Sequence, residues 1–407
     1  MQTHLSEQAR ALPQAEEAEA ILRSCVHCGF CNATCPTYQL LGDELDGPRG
    51  RIYLMKQVLE GNKPTARTLE HLDRCLTCRN CESTCPSGVR YHNLLDIGRA
   101  VVEEAVPRPL GERLLRTGLR AVLPNPALFG SLLRTGRALR PLLPQALKAK
   151  VPVQVHGAGA RPAVRHPRQV LMLEGCVQPG LSPNTNAAAT RVLDRLGISV
   201  RPIRKAGCCG AVDYHLNAQQ AGLERARANI DAWWPAIEAG AESIVMTASG
   251  CGAFVKDYAH LLRDDPAYAQ KARRVSEMTL DLVEVMRSAP LQDLGLDPQL
   301  KVAFHCPCTL QHAQRLGGAV EDVLERLGFH LTVVPDSHLC CGSAGTYSVT
   351  QPKLSRQLRD NKLNALESGS PQVIATANIG CQVHLDGPGR TPVRHWIELV
   401  DQALPQT

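Results

Sequence analysis

Aromatic residues make up only 4% of the chain, and no run approaches the roughly 18 apolar residues that a membrane-spanning helix needs, so no segment is expected to cross a bilayer. Met1 to Leu22 has no apolar stretch of the kind a secretory signal carries. The expected setting is therefore the cytosol, or a surface that faces it. A dinucleotide fingerprint is also missing: Gly157-Ala158-Gly159-Ala160 lacks the third glycine, a preceding strand and a following helix. Chemistry dependent on NAD is not expected of this chain. Acids are nearly missing from one segment. Between Pro107 and Arg168, twelve Lys or Arg (Arg108, Arg113, Arg116, Arg120, Arg134, Arg137, Arg140, Lys148, Lys150, Arg161, Arg165, Arg168) stand against Glu112 alone, a local excess far above the net charge of +6. The segment also lacks interleaved aromatics on which bases stack, which argues against a nucleic-acid partner.

Cysteine, by contrast, is abundant, with 17 in 407 residues. In a reducing compartment such a count points to metal rather than to disulfides. Cys25-Val26-His27-Cys28-Gly29-Phe30-Cys31-Asn32-Ala33-Thr34-Cys35-Pro36 recurs as Cys75-Leu76-Thr77-Cys78-Arg79-Asn80-Cys81-Glu82-Ser83-Thr84-Cys85-Pro86. Both blocks read C-x2-C-x2-C-x3-C-P, the spacing in which three thiolates take one [4Fe-4S] cube and the fourth serves the neighbouring cube. Zinc also takes C-x2-C pairs, but not with a third cysteine two residues on and a C-P ending, twice over. The expected ligand sets are crossed: Cys25, Cys28, Cys31 and Cys85 for one [4Fe-4S] cluster, and Cys75, Cys78, Cys81 and Cys35 for the other. The stretch between the blocks exceeds what a compact ferredoxin needs, and Arg49 to Glu60 carries Ile52, Met55 and Leu59 at helical spacing with Gly61 as a stop. Helices are also expected over residues 1 to about 22 and from Thr68 to Arg74. Pro48-Arg49-Gly50-Arg51 is either a solvated turn or a support for the cluster surroundings.

The rest of the chain divides in two ways. Residues 107–168 form a connector of short Leu/Arg-rich helices interrupted by proline. Leu114, Leu115, Leu119, Val122, Leu123, Leu132, Leu133, Leu139, Leu142 and Leu143 make apolar faces beside arginines, as suits an anionic membrane surface, an acidic partner or packing on the protein itself. From Arg168 onward strand and helix alternate, which implies parallel sheets. Strands are expected at Gln169–Leu173, Ile198–Ile203, Ser243–Thr247, Lys301–Phe304, Leu331–Val334 and Val373–Thr376. The helices between them span Asn184–Leu196, Leu216–Ala239, Ala319–Leu327 and Lys353–Leu366. The cysteines repeat in step: Cys176, Cys208-Cys209-Gly210 and Cys251, then Cys308, Cys340-Cys341-Gly342 and Cys381. Two homologous modules follow the ferredoxin part. Their eight cysteines fall where strands end, and are candidates for a further iron-sulfur centre or a redox dithiol. Cys306 has no counterpart and reads as spare; His305 and His384 lie close by as ligands, proton carriers or supporting groups. The fold class is thus multidomain: a mainly helical two-[4Fe-4S] ferredoxin-like domain (1–106), the basic connector (107–168), and two repeated α/β modules with parallel sheets (169–297 and 298–407).

With those motifs in place the chain resembles the iron-sulfur subunits of bacterial glycolate oxidase, and more broadly those of lactate-utilisation complexes, anaerobic glycerol-3-phosphate dehydrogenase and heterodisulfide reductase. The texture from Thr37-Tyr38-Gln39-Leu40-Leu41-Gly42 through Asp46-Gly47-Pro48-Arg49-Gly50-Arg51, and of Cys251-Gly252-Ala253-Phe254-Val255-Lys256, resembles the glycolate oxidase branch. The resemblance implies an oxidoreductase subunit that carries electrons, with flavin on a partner flavoprotein that oxidises glycolate, and D-lactate as a second substrate to consider. It also implies a membrane acceptor such as quinone and a peripheral place on the cytoplasmic face of the inner membrane. The heterodisulfide-reductase branch ends each module in C-x2-C, whereas this chain has Phe254 and His384 at those positions, so thiol/disulfide chemistry is the alternative rather than the first reading.

Overall fold

The computed structural model describes residues 1–142, 144, 151, 152, 155 and 157–405; Leu143, Lys148 and Lys150 lie outside the described residues. The N-terminal helix expected over residues 1–22 is two helices, Glu7–Arg10 and Ala15–Ser24, with Pro13 in the break between them. Between the cysteine blocks Pro48–Leu59 forms the expected helix, with proline in its first turn where no amide is needed. Ala66–Asp73 follows, started by a capping box in which the Thr65 hydroxyl accepts from the Thr68 amide. The helix Tyr91–Ala105, which the motifs do not announce, packs across Ala15–Ser24, Pro48–Leu59 and Ala66–Asp73. Leu22, Met55, Leu59, Leu72, Leu94 and Leu95 fill the resulting core.

The connector is helical over Leu110–Val122 and Pro126–Ala138, with Pro124 in the break between the two helices and Pro126 in the first turn of the second. No residue of either helix is buried. Much of the basic excess is answered by the protein's own acids: Arg108 meets Asp73, Glu103 and Glu112; Arg116 meets Asp73; Arg120 meets Asp213; Arg161 meets Glu174; Arg165 meets Asp194; and Arg168 meets Glu242. Arg113, Arg134, Arg137 and Arg140 make no ion pair among the described residues. No helix among them is long and apolar enough to cross a membrane.

Each module is a four-stranded, all-parallel sheet. In the first, β1 (Arg168–Met172), β2 (Ile198–Pro202), β3 (Ile244–Met246) and β4 (Thr279–Asp281) lie in the order β2-β1-β3-β4. In the second, β5 (Lys301–His305), β6 (His330–Leu331), β7 (Val373–Thr376) and β8 (Val393–His395) repeat it as β6-β5-β7-β8. Three expectations need correction. The short strands β4 and β8 were not foreseen. Strand β6 stops at Leu331, and Val333 turns out to solvent at 87% exposure. The helix expected over Leu216–Ala239 is Ala211–His215 followed by Gln219–Glu238, parted where Asn217 takes a left-handed conformation (φ 63°).

The modules embrace each other. Asn184–Arg195 of the first packs on Trp396–Gln402 of the second, and Leu282–Arg287 of the first on Ala319–Arg326 of the second. One apolar core therefore runs through both, with Val192, Leu193, Met286, Val320 and Trp396 fully enclosed. Truncating Trp396 to alanine opens this shared core and should cost about 3–5 kcal/mol. Denaturant unfolding checks it, and the two modules should then unfold together rather than in separate steps.

Candidate metal centres

The two cysteine blocks build the same local device. In each, the residue two after the first cysteine sits in left-handed backbone (His27, φ 61°; Thr77, φ 54°), and so does the residue before the short helix that carries the third cysteine (Gly29, φ 86°; Arg79, φ 62°). Three of these four are not glycine, and such a conformation costs roughly 1–3 kcal/mol unless the surroundings impose it. The double reversal curls the loop, and the first three cysteines of each block line one depression. The fourth cysteine of each block, at the start of the Pro36–Leu41 helix and before Pro86, is carried across to the other loop.

One depression is lined by Cys25, Cys28, Cys31 and Cys85 together with Cys81, Val26, Phe30, Arg49 and Ile52. A second is lined by Cys75, Cys78, Cys81 and Cys35 with Arg51, Tyr91 and His92. Cys81 is shared between the two linings. The sulfurs are close enough to repel one another as thiolates. Burial first, then Cys25, Cys85 and Cys28, push the Cys31 thiol up to about 11. Cys78 and Cys81 are likewise raised by burial and their neighbours. Thiols in this state need a cation to ionise them, which a metal ion supplies. Donors already reach the sulfurs: the Thr77 amide to Cys75 Sγ at 3.4 Å, the Tyr91 hydroxyl to the same atom at 3.7 Å, and Thr37 Oγ1 against Cys35 Sγ at 3.3 Å. The donor set, the curled loops and these hydrogen bonds fit iron-sulfur clusters.

The two depressions differ in surroundings. The first opens at the surface, where Cys28 is exposed and Val26 and Phe30 stand out at 68% and 63% exposure. The second is enclosed by cations. Arg51, with no exposure, donates to the His71 carbonyl (2.7 Å) and the Thr37 hydroxyl (3.2 Å) and pairs with buried Asp46 (3.5 Å). Burial opposes its charge, but Cys75, Tyr91, Cys35 and Asp46 outweigh it and hold the guanidinium pKa above its ordinary value. Asp46 also takes Arg74 (2.8 Å) and His71 (2.9 Å), so in the group of Asp43, Asp46 and His71 the central carboxylate is already engaged by ion pairs. Arg99 donates to the carbonyls of Leu72 (2.7 Å) and Cys75 (2.9 Å). Gly50 is required by this packing, since a Cβ there would lie 2.1 Å from the Glu44 carbonyl oxygen. The Pro48-Arg49-Gly50-Arg51 stretch is thus a buttress of the second site. Arg99 carried no signal in the sequence beyond its place on a helix.

The module cysteines gather into two further groups. Cys176, Cys208, Cys209 and Cys251 form a run of neighbouring sulfurs in the first module, and hydrogen bonds from Cys176 and Cys209 favour the Cys208 thiolate. In the second, Cys308 Sγ lies 3.8 Å from Cys340 Sγ, and Cys341 and Cys381 share a cluster with His305 whose ligand atoms all lie within 4.8 Å of one another. The glycine after each vicinal pair is left-handed (Gly210, φ 101°; Gly342, φ 86°), and a Cβ would strike the Gly222 or the Ser355 carbonyl oxygen. Cys306 is buried in the shared core, apart from these groups. The second module's site touches the second depression: Cys78, Leu76, Cys308 and Cys340 pack in one cluster with Tyr347 and Leu358. The docking is held by Asn80 to the His338 carbonyl (3.1 Å), Ser83 to His312 (2.9 Å), and Tyr347 to the Arg74 carbonyl (3.1 Å).

These features define an iron-sulfur protein with a dicluster part docked on a pair of cysteine-rich modules. Comparison with known families agrees: residues 21–89 match a 4Fe-4S dicluster domain, and residues 170–256 and 302–386 each match a cysteine-rich domain. The chain is 70% identical over 404 residues, 99% of each protein, to the glycolate oxidase iron-sulfur subunit of Escherichia coli (strain K12). It is 30% identical over 397 residues, covering 90% of this chain and 89% of the other, to the probable glycolate oxidase iron-sulfur subunit of Bacillus subtilis (strain 168). Lactate utilization protein A of Bacillus licheniformis is 29% identical over 217 residues, 52% of this chain and 88% of that protein. The chain belongs to the family of glycolate oxidase iron-sulfur subunits.

Replacing Arg51 by methionine removes one of the three basic partners of Asp46 and leaves the His71 carbonyl and Thr37 hydroxyl without their donor, which should destabilise the fold by about 1–3 kcal/mol. It also withdraws positive charge from the second depression, so the centre nearest Cys75 should become harder to reduce. Denaturant unfolding and a potentiometric EPR titration read the two effects separately.

Proposed function

We propose that Cys25, Cys28, Cys31 and Cys85 hold one [4Fe-4S] cluster and Cys75, Cys78, Cys81 and Cys35 the other, within a dicluster domain of residues 1–106. The remaining divisions would be the connector 107–168 and the modules 169–297 and 298–407. The observation that carries this reading is the lining of the two depressions, each of which takes its fourth cysteine from the other block. Clusters held this way exchange single electrons at potentials set by burial, charge and hydrogen bonds to sulfur.

On that basis the chain is the electron-carrying subunit of a glycolate-oxidising complex, a reading supported by its 70% identity to the Escherichia coli protein of that name. A partner flavoprotein would oxidise glycolate to glyoxylate, and D-lactate fits the same chemistry. This chain would then accept electrons singly and pass them to a membrane acceptor, quinone. Its own residues favour a direction. Val26 and Phe30 offer an apolar rim beside exposed Cys28 for the flavoprotein to cover. Arg51 and Arg99 make the second site the more electropositive, which favours the reduced state there. The heterodisulfide alternative is weakened by Phe254, whose ring packs against Tyr214, His215 and Tyr258 and fills the place a fifth ligand would need.

Iron counts test the crossed ligation. From about eight iron in the dicluster domain, Cys28→Ser with Cys85→Ser should leave about four, because both serve one cluster. Cys28→Ser with Cys35→Ser should lose nearly all, and the reverse pattern refutes the assignment. In the assembled complex, glycolate should still bleach the flavin of the first double variant but fail to reduce its remaining cluster.

The connector supports a place at the membrane face. Leu110, Leu114, Leu132 and Leu142 are exposed on the same segment as Arg113, Arg134, Arg137 and Arg140, which meet no carboxylate among the described residues. Changing those four arginines to glutamine should abolish co-sedimentation with vesicles containing anionic lipid; unchanged binding rules out the electrostatic attachment.

A further inference from the structure

His305 ends β5, at 2% exposure, and neither of its ring nitrogens has a hydrogen-bond partner. A buried imidazole with both nitrogens unsatisfied loses its hydration without compensation, which native structures avoid. What it faces is sulfur: its ring and the thiols of Cys341 and Cys381 can all reach one point, their ligand atoms lying within 4.8 Å of one another. Cys340 and Cys308 continue the sulfur chain outward, 3.8 Å apart, to the packing cluster that contains Cys78. Donors are set for thiolates here, from Asn378 Nδ2 to Cys381 Sγ (3.5 Å) and from the Gly342 amide to Cys340 Sγ (3.5 Å).

A buried cation adds an independent sign. Lys362 is 3% exposed, and its Nζ donates to the carbonyls of Asp336 (2.7 Å) and Ser337 (3.4 Å) with no carboxylate in ion-pair range among the described residues. Burial disfavours its charge and holds it below the ordinary lysine value, while Cys341, Cys340, Asp336 and Cys308 oppose that in this order, and its own charge acts on His305. A buried ammonium is tolerated when anionic charge lies beside it, and thiolates bound to metal supply such charge. The first module differs in its imidazole and not in lacking a cation near its thiols, since Arg225 favours the Cys208 thiolate. At the position of His305, three residues before the first cysteine, it carries Leu173, and at the position of His384 it carries Phe254. His384 itself turns to Ser355, its Nε2 3.3 Å from the hydroxyl oxygen, so His305 is the imidazole left to ligate.

We propose that the second module alone binds iron through mixed imidazole and thiolate ligation, with His305, Cys341 and Cys381 as the primary ligands and Cys340 and Cys308 completing the sulfur set. Imidazole and thiolate together suit iron or zinc. Iron is favoured by position, because the site abuts Cys78, where an electron leaving the second depression would next arrive. The inference rests on the dicluster reading only for that role; the site itself stands on residues outside the two blocks.

The full-length chain, reconstituted anaerobically with iron and sulfide and grown with 15N-histidine, tests it. The expected result is iron above the about eight per chain of two cubane clusters, with nitrogen hyperfine coupling in pulsed EPR. In His305→Leu, which adopts the first module's residue, the excess iron and the coupling should vanish while the signals of the two cubane clusters stay. His305→Cys should restore the iron without the coupling, which guards against a mere folding defect. Iron limited to about eight in the wild type overturns the proposal, as does stoichiometric zinc at the site or excess iron that survives His305→Leu with no nitrogen coupling. Loss of the cubane signals in the wild type would instead refute the dicluster reading, so the two failures are distinguishable.

Discussion

Sulfur kept away from water must either stay protonated or be balanced by positive charge, and much of this structure follows from that requirement. The thiols of Cys31, Cys78 and Cys81 are driven toward the protonated form by burial and by one another. Holding them ionised takes metal, and around the metal it takes cations that do not themselves escape to solvent. Arg51 and Lys362 are both buried, Arg51 in the lining of the second depression and Lys362 where the charge of Cys341 and Cys340 acts on it. A guanidinium or ammonium placed so would be destabilising in an apolar core. Here it offsets the charge of the thiolates, while Asp46 fixes Arg51 in position and the carbonyls of Asp336 and Ser337 fix Lys362.

The same requirement explains why the helical part and the modules cannot be read as beads on a string. The Asn80–Thr84 helix that carries Cys81 packs on the π-helical turn Thr309–Ala313, which directly follows Cys308. Irregular turns of that type occur often at functional sites. The Pro36–Leu41 helix that follows Cys35 packs on Pro352–Glu367, the helix of Lys362. Burying the second depression therefore builds the contact to the second module as well. The first depression, with Val26 and Phe30 exposed beside it, is left for a surface that this chain does not provide.

Much of this was legible in the residues because the signals were periodic. The doubled C-x2-C-x2-C-x3-C-P block points to a dicluster part, and the equal spacing around Cys208-Cys209-Gly210 and Cys340-Cys341-Gly342 announces the repeated parallel sheets. Strands β4 and β8 escaped notice because three-residue strands show no alternation to count. The helix start at Gln219 was placed too early because the apolar pattern runs on through Leu216, and the break depends on Asn217 taking a left-handed turn that no neighbouring residue dictates. Arg51 stood among two readings of its stretch, and the roles of Arg99 and Lys362 were illegible for another reason. A basic residue on a helix ordinarily faces water, and only the tertiary packing reveals that these do not.

The divergence of the two modules is the part that the repeat conceals. Duplication gives each the same four cysteines, the same strand order and the same left-handed glycine, so identical sites would be the simplest outcome. Their surroundings have separated instead. The first has surrounded Cys209 with apolar and aromatic side chains, Phe254 and Tyr258 among them, and its nearby cation, Arg225, is paired with Asp213. The second has placed imidazole and ammonium against its sulfurs and lies against Cys78. Since the modules share one core through Trp396 and its neighbours, the first stabilises the second whether or not it holds anything itself. One copy is thus free to serve as scaffold, and the copy adjoining the dicluster part keeps the chemistry that the position demands.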